Sequence, residues 1–237
     1  MPADNTPPER VEAVVFDHDG TLVDSITPDY EACSQVFREY GAELPAAVWA
    51  ADVCGNTDGY PALFARLAES IGRHDAAARM RERLSELWAA SLLPGSVPLM
   101  PAVRDVLDGL RESGVRLAVA SAAPRTWVTG CLEHHRLLDR FQAVVAAEDV
   151  ERRKPAPDAY LAAAARLGVP PERCVAVEDS LTGVDAALAA GMRVIAVPTP
   201  VTRSLDYSRA DHVLPGLGGL TAALRAPSDR KAAHVRH

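Results

Sequence analysis

The chain of 237 residues is short of several features that would define its class at once. It has four cysteines, and their scattered positions (Cys33, Cys54, Cys131 and Cys174) give neither a CxxC pair nor a spacing typical of metal sites. No apolar run approaches the roughly 20 residues that a membrane-spanning helix needs, and no apolar segment of the signal-peptide type lies near the N-terminus. These absences predict a cytoplasmic protein with reduced thiols.

Positive charge is also in short supply, since 25 basic side chains face 32 acidic ones and the net charge is −7. Nucleic acids and anionic membrane surfaces both require basic patches on the protein, so we expect neither as a partner. An anionic small molecule is still compatible with this charge, because a few lysines and arginines can line a pocket locally. The hydrophobic content of 48% is enough for a sizeable core.

Apolar runs of strand type alternate along the chain with segments of helical pattern. The strand-like runs are residues 11–16, 115–120, 143–147, 174–177 and 193–197, and the helical segments are 102–112, 126–134, 158–167 and 183–190. Such alternation predicts an α/β fold, and we expect a doubly wound, Rossmann-like parallel sheet.

Residues 26–96 break this rhythm, because helical patterns follow one another there without a strand. We predict helices at 30–40, 45–51, 61–71 and 75–90. A helical block inserted into an α/β core predicts a cap over a site, joined to the core by two short hinges. The expected division is a core domain of residues 8–24 and 97–228, a helical cap of residues 25–96, and a flexible tail of residues 229–237.

Two aspartates, Asp17 and Asp19, stand where the first apolar run ends and Gly20 allows a sharp turn. Side chains at positions i and i+2 of a strand point the same way, so both carboxylates are able to face one spot. Like charges held together repel unless a cation or a proton lies between them. Such a pair is typical of metal, acid–base or nucleophilic sites, although Asp19 in isolation would be an ordinary turn residue.

Polar residues also follow three other predicted strands. Ser121 and the small Ala122 come after the second strand, Lys154 comes after the third, and Glu178 and Asp179 come after the fourth. Ligands bind at the carboxyl ends of the strands in open parallel sheets, so these clusters are expected to converge with the first pair. Taken singly, each has a plainer explanation as a helix cap or a solvated charge.

The chemistry of these clusters is complementary. Asp17 and Asp179 offer the carboxylate oxygens that Mg²⁺ prefers. A hydroxyl at Ser121 or Thr21 and the ammonium of Lys154 are suited to hold phosphate oxygens. An aspartate is able to attack phosphorus, and a second acid is able to protonate the leaving oxygen. The set of residues therefore predicts a phosphoryl-transfer site.

At these residues the chain resembles the haloacid dehalogenase-like hydrolases, in the branch that includes β-phosphoglucomutase and phosphoglycolate phosphatase. Residues 17–25 look like the family's first motif (DxDGTLxDS), Ser121 like the second, Lys154-Pro155 like the third, and residues 178–180 like the fourth. The resemblance spans roughly residues 11–220. Four motifs in the right order, each at a predicted strand end, make the signal specific.

The resemblance implies a role for each matched position. Asp17 would be the nucleophile and a Mg²⁺ ligand, and Asp19 would be the general acid and base, with its backbone carbonyl also on the metal. Asp179 would be the third protein ligand, and Glu178 would bind the metal or a metal-bound water. Residues 26–96 would form the family's helical cap, which closes over the leaving group.

The phosphate would be held by Ser121 and the amide of Ala122, with Lys154 bridging phosphate and Asp17. The implied enzyme is a Mg²⁺-dependent phosphatase that hydrolyses a small phosphate monoester, such as a sugar phosphate, through an aspartyl-phosphate. We expect it to act as a monomer or a weak homodimer.

The sequence departs from the family pattern in places. His18 stands where an apolar residue is usual, and its side chain is expected to face away from the site. Asp29 replaces a histidine that β-phosphoglucomutase-like members often carry, and Asp58 replaces a common basic residue in the loop that resembles the cap's specificity loop. The alternative to a phosphatase is a β-phosphoglucomutase-like phosphosugar mutase, which has to hold a second phosphate with basic residues of the cap. These changes weaken that alternative, although Arg66 and Arg83 could still contact a second phosphate.

Two further alternatives are open at this point. One is a metal-free dehalogenase, which would not need Lys154 together with Asp19 and Asp179 in this form. The other is a phosphate-responsive regulatory domain with a vestigial site, against which the complete motifs argue.

Overall fold

A computed structural model describes residues 11–56 and 58–226. It contains a six-stranded sheet in which all neighbouring strands are parallel. Its strands run in the order β3-β2-β1-β4-β5-β6. They are β1 (Ala13–Phe16), β2 (Arg116–Ala120), β3 (Ala143–Val145), β4 (Cys174–Glu178), β5 (Arg193–Ala196) and β6 (His212–Val213). The five predicted strands are thus confirmed, and the two-residue β6 is added at the edge.

Helices cover both faces of this sheet, which confirms the doubly wound fold. They are α5 (Val103–Glu112), α6 (Arg125–His134), α7 (Asp158–Leu167), α8 (Leu181–Ala189) and the unpredicted α9 (Leu220–Arg225). Alternate residues of β1 enter opposite cores: Val14 and Phe16 pack with α5, α6 and α9, whereas Ala13 and Val15 pack with α7 and α8.

Four helices lie between β1 and α5: α1 (Ile26–Glu39), α2 (Ala46–Asp52), α3 (Gly59–Ser70) and α4 (Ala76–Ser91). They pack around an apolar cluster of their own, with Trp49, Phe64 and Met80 fully buried. Helix α1 begins four residues earlier than predicted and includes Pro28 in its first turn, where an N–H has no helical partner to lose. We refer to residues 26–91 as the cap.

The chain enters and leaves the cap through two adjacent segments. The amide of Asp24 donates to the carbonyl of Pro98 at 2.9 Å, and the amide of Met100 donates to the carbonyl of Leu22 at 2.9 Å. The two crossings therefore brace each other beside the end of β1. The division into domains at residues 24/25 and 96/97 stays a prediction, and the predicted tail lies outside the described residues. In the described part of the chain, no helix is both long and apolar enough to cross a membrane.

The core packing predicts the effect of a truncation at Leu107, which is fully buried on α5. We expect Leu107→Ala to lower the free energy of unfolding by about 2–5 kcal/mol, because it removes buried methyl groups and leaves a cavity. Urea denaturation followed by circular dichroism measures this change. The control is Leu161→Ala on α7, whose side chain is exposed and whose effect should stay within about 0.5 kcal/mol. Equal effects of the two variants would contradict the prediction.

Candidate active site

The carboxyl ends of β1, β2 and β4 open into a cavity of about 580 Å³ between the sheet and the cap. Strand β1 lies between β2 and β4, and the chain winds outward from it in both directions, so this is the switch point where α/β sheets bind ligands. The predicted site residues that line the cavity are Asp17, Asp19, Ser121, Ala122, Lys154 and Asp179. The predicted convergence of strand ends is therefore present.

Lys154 lies at the floor of this cavity between two carboxylates. Its Nζ is 2.6 Å from Asp17 Oδ1 and 2.6 Å from Glu178 Oε1, and its side chain is 3% exposed. Burial alone would lower the pKa of Lys154, but the charges of Asp17 and Glu178 outweigh it and raise the pKa above its ordinary value. The ammonium is therefore charged in the folded protein and holds Asp17 in place.

Glu178 anchors both the lysine and the loop that follows β4. Its Oε1 also accepts a hydrogen bond from the Tyr160 hydroxyl at 2.7 Å, and its Oε2 accepts from the amides of Asp179 and Ser180. A Cβ on Gly183 would lie 1.7 Å from Glu178 Oε1, so only glycine fits there. Both oxygens of Glu178 thus have protein partners, and its predicted contact with metal or metal-bound water stays a prediction.

Asp179 presents an oxygen that has no protein partner. Its Oδ2 is buried without a hydrogen bond among the described residues, and a Cβ on Gly20 would lie 2.2 Å from it. Ligand atoms of Asp17, Glu178 and Asp179 all lie within 4.8 Å of one another. Burial, the charge of Asp17 and that of Glu178 raise the pKa of Asp179 well above its usual range.

The pKa of Asp17 is raised in the same way. Burial, Glu178 and Asp19 raise its pKa to about 7, although Lys154 acts in the opposite direction. A cation beside Asp17 and the free Asp179 Oδ2 would remove this cost. Carboxylate oxygens in this number fit a hard divalent ion, so the residues present suit Mg²⁺.

Asp19 also lines the cavity, but its surroundings differ from those of Asp17. Its Oδ1 accepts hydrogen bonds from the Ser25 hydroxyl at 2.6 Å and the Trp127 indole at 2.8 Å, and His18 Nδ1 is 3.1 Å from its Oδ2. Burial opposes ionisation of Asp19, but His18 and these hydrogen bonds lower its pKa to about 2. Asp19 is therefore a carboxylate before any phosphate binds.

The residues predicted to hold phosphate differ in whether they reach the cavity. Ser121 is buried at the end of β2, and its Oγ accepts a hydrogen bond from the amide of Ala123 at 3.0 Å, which leaves its hydroxyl proton for a ligand. Ala122 lines the cavity beside it. Thr21 does not line the cavity, and its buried hydroxyl has no partner among the described residues. Its contact with phosphate stays a prediction that the geometry does not support.

Several residues of the site were not assigned a role from the sequence. Tyr160 and Trp127 reach the site from α7 and α6, and no motif marks them. His18 lies two residues beyond β1. It is fully buried and outside the cavity lining, as predicted, but its ring contacts Asp19 all the same. Its signal in the sequence was the departure from an apolar residue at this position.

The two cap arginines considered for a second phosphate lie elsewhere. Arg66 pairs with Asp52, and Arg83 pairs with Glu39. Neither lines the cavity. Gly55, in the loop compared with a specificity loop, does line the cavity and comes close to the core, since a Cβ there would lie 2.9 Å from Ser180 Oγ. Thr57 of this loop lies outside the described residues.

The buried pair of His18 and Asp19 predicts a pH-dependent stability. The Asp19 charge outweighs burial and raises the pKa of His18 from 6.5 to about 10. Stability from this charge is fully present below pH 6.5 and is lost as the pH rises through about 10. We therefore expect the unfolding free energy of the wild type to fall relative to that of His18→Leu as the pH rises across this range.

Urea denaturation at several pH values with a chelator present measures this difference. The control is His74→Leu, which replaces an exposed histidine whose surroundings change little on unfolding. A difference for His18→Leu that is constant with pH would mean that the pair is not charged.

Comparison with known proteins agrees with this geometry. Residues 14–197 match the model of the haloacid dehalogenase-like hydrolase family. Hexitol phosphatase B of Escherichia coli is 35% identical over 219 residues, which are 91% of this chain and 96% of that protein. Protein CbbY of Rhodobacter capsulatus is 32% identical over 217 residues, which are 88% of this chain and 94% of that protein.

Solved structures give the same result. CbbY from Rhodobacter sphaeroides in complex with phosphate superposes with a TM-score of 0.64 at 29% identity, covering 91% of this chain and 100% of that one. A HAD family hydrolase from Deinococcus radiodurans with bound phosphate and sodium gives 0.70 at 29% identity, covering 91% and 96%. The chain therefore belongs to the haloacid dehalogenase-like hydrolases, in the branch resembling β-phosphoglucomutase and phosphoglycolate phosphatase, and it is a phosphoric monoester hydrolase.

Proposed function

We propose that the protein is a Mg²⁺-dependent phosphatase that hydrolyses a small sugar-phosphate-like monoester in the cytoplasm through an aspartyl-phosphate on Asp17. The observation that carries this proposal is the contact of Lys154 with Asp17 beside the partner-free oxygen of Asp179. Mg²⁺, held by Asp17, Asp179 and the backbone carbonyl of Asp19, would supply positive charge for the phosphoryl oxygens. A monomer or weak homodimer suffices, because one chain carries the whole residue set.

Asp17 is the nucleophile in this mechanism. Its free carboxylate oxygen attacks phosphorus while the bond from phosphorus to the leaving oxygen breaks, and Ser121, the Ala122 amide and Lys154 hold the other phosphoryl oxygens. Lys154 keeps Asp17 oriented through its bond to Oδ1. The product of this step is an aspartyl-phosphate and a free alcohol.

Asp19 carries the proton in both halves of the reaction. To act as the acid, Asp19 has to take up a proton when the substrate binds, and a phosphate dianion beside it raises its pKa in that direction. The proton passes to the leaving oxygen, and the resulting carboxylate then takes a proton from the water that attacks the aspartyl-phosphate. Hydrogen bonds from Ser25 and Trp127 fix the orientation of Asp19 for both transfers.

The first half of this reaction would also serve a phosphosugar mutase, which passes the phosphoryl group from Asp17 to a second hydroxyl. A mutase has to hold a second phosphate in the cap, yet Arg66 and Arg83 lie outside the cavity in ion pairs. The geometry therefore supports a phosphatase better. Incubation with β-glucose 1-phosphate separates the two, since a mutase forms glucose 6-phosphate and a phosphatase releases inorganic phosphate.

Asp17→Asn tests the nucleophile. We expect hydrolysis of p-nitrophenyl phosphate with Mg²⁺ to fall to background, because an amide does not attack phosphorus, while the circular dichroism spectrum stays that of the wild type. The matched control is Asp105→Asn on the exposed face of α5, outside the cavity, which should retain activity. Near-wild-type turnover by Asp17→Asn would contradict the assignment of Asp17 as the nucleophile.

Asp19→Ala tests the acid. We expect turnover of an alkyl phosphate such as glycerol 3-phosphate to fall by about 10²–10⁴-fold, and turnover of p-nitrophenyl phosphate to fall less, because nitrophenolate needs little protonation. Steady-state phosphate release from the two esters measures the contrast. Equal losses for both esters would argue that Asp19 does not protonate the leaving group.

A further inference from the structure

The cap half of the cavity contains the carboxylate of Asp29, with aromatic side chains beside it. Helix α1 carries Asp29, and the other cap helices add Trp49, Tyr60 and Trp88 to the same lining. The core half of the cavity holds the residues that react with phosphate. The leaving group of a bound ester therefore extends toward Asp29 and its aromatic neighbours.

Two cap helices hold Asp29 in a fixed orientation. Its Oδ1 accepts hydrogen bonds from the Tyr60 hydroxyl at 2.6 Å and from Trp88 Nε1 at 2.8 Å, and the two rings pack edge to face at 5.1 Å. No described residue donates to Oδ2, although Asp29 lines the cavity. Burial raises the pKa of Asp29 to about 6, which agrees with a carboxylate that has no cationic partner. One oriented acceptor is thus left for a ligand.

The charges around the cavity are divided between its two halves. Asp29 and Asp58 are the charged residues that the described part of the cap contributes to the lining. The cations of the lining, Arg153 and Lys154, come from the core loop after β3, next to the site of the phosphoryl group. A leaving group with a carboxylate or a second phosphate would therefore meet like charge in the cap, which weakens its binding.

We infer that Asp29 is a specificity-determining residue that selects phosphate esters of uncharged polyols and rejects esters whose leaving group carries a second anion. Its Oδ2 accepts a hydrogen bond from a hydroxyl of the leaving group, and the surrounding aromatic side chains cover the carbon chain. A carboxylate accepts hydrogen bonds from an ammonium as well as from a hydroxyl, so the test below includes an ester of each kind. This inference rests on the proposed function and names the substrate class of the same site.

Three esters that differ at one end of a six-carbon chain provide the test. Glucitol 6-phosphate ends in an alcohol, 6-phosphogluconate ends in a carboxylate, and 1-amino-1-deoxyglucitol 6-phosphate ends in an ammonium. We expect the wild type to prefer the alcohol over the carboxylate by at least about tenfold in kcat/KM.

Asp29→Asn replaces the hydrogen-bond acceptor that faces the cavity with a donor and keeps the size of the side chain. The Trp88 indole is able only to donate, so the amide oxygen takes the place of Oδ1 and the NH₂ group faces the cavity as a donor. We expect the preference for alcohol over carboxylate to fall about tenfold, while p-nitrophenyl phosphate is still hydrolysed. The matched control, Asp75→Asn at the exposed start of α4, should keep the wild-type preference.

The outcomes separate this inference from the proposed function. A wild-type preference near one, or a preference unchanged by Asp29→Asn, would overturn the role of Asp29. A tenfold preference for the ammonium ester would overturn it in favour of a cationic leaving group. If 6-phosphogluconate were the best wild-type substrate and Arg153→Ala abolished its turnover, the role of Asp29 would be overturned, and the core would be the part that recognises the second anion. If no ester, including p-nitrophenyl phosphate, releases phosphate in an Asp17-dependent way, the proposed function itself fails.

Discussion

The active site depends on one buried ammonium, that of Lys154. It lies 2.6 Å from both Asp17 and Glu178, and the hydroxyl of Tyr160 shares the same Glu178 oxygen. An unpaired buried charge costs several kcal/mol, so neither carboxylate is able to leave the lysine without a large loss of stability. The position of Asp17, the proposed nucleophile, is therefore fixed by its ion pair with Lys154 before any substrate binds.

Backbone geometry brings these charges together. Asp17 and Glu178 come from neighbouring strands in register, and the amide of Asp17 donates to the carbonyl of Val177. Two glycines then make room for the carboxylates: Gly20 beside Asp179 and Gly183 beside Glu178, at distances where a side chain would overlap their oxygens. The acidic cluster is thus a consequence of a parallel sheet whose first and fourth strands are adjacent.

The sequence predicted most of this because the information is local. An apolar strand followed by a polar residue marks each of these strand ends, so Asp17, Ser121 and Asp179 could be assigned from their neighbours along the chain. Contacts between distant segments could not be predicted this way. Trp127 lies 108 residues from Asp19, and nothing in its own segment indicates that its indole will donate to that carboxylate. Strand β6 was missed for a related reason, since two residues carry no periodicity and their pairing with β5 decides their conformation.

The lining of the cavity has more acidic than basic side chains. Its described lining carries five aspartates against Arg153 and Lys154, and Lys154 is already engaged by Asp17 and Glu178. A phosphate dianion entering such a cavity meets a negative potential. Burial, together with the charges of the neighbouring carboxylates, already raises the pKa of both Asp17 and Asp179. The proposed Mg²⁺ offsets this negative charge only in the core half, beside Asp179. Because the cap half carries Asp29 and Asp58 without a described cation, this division of charge favours the proposed substrate class, in which the phosphoryl group carries the negative charge at one end.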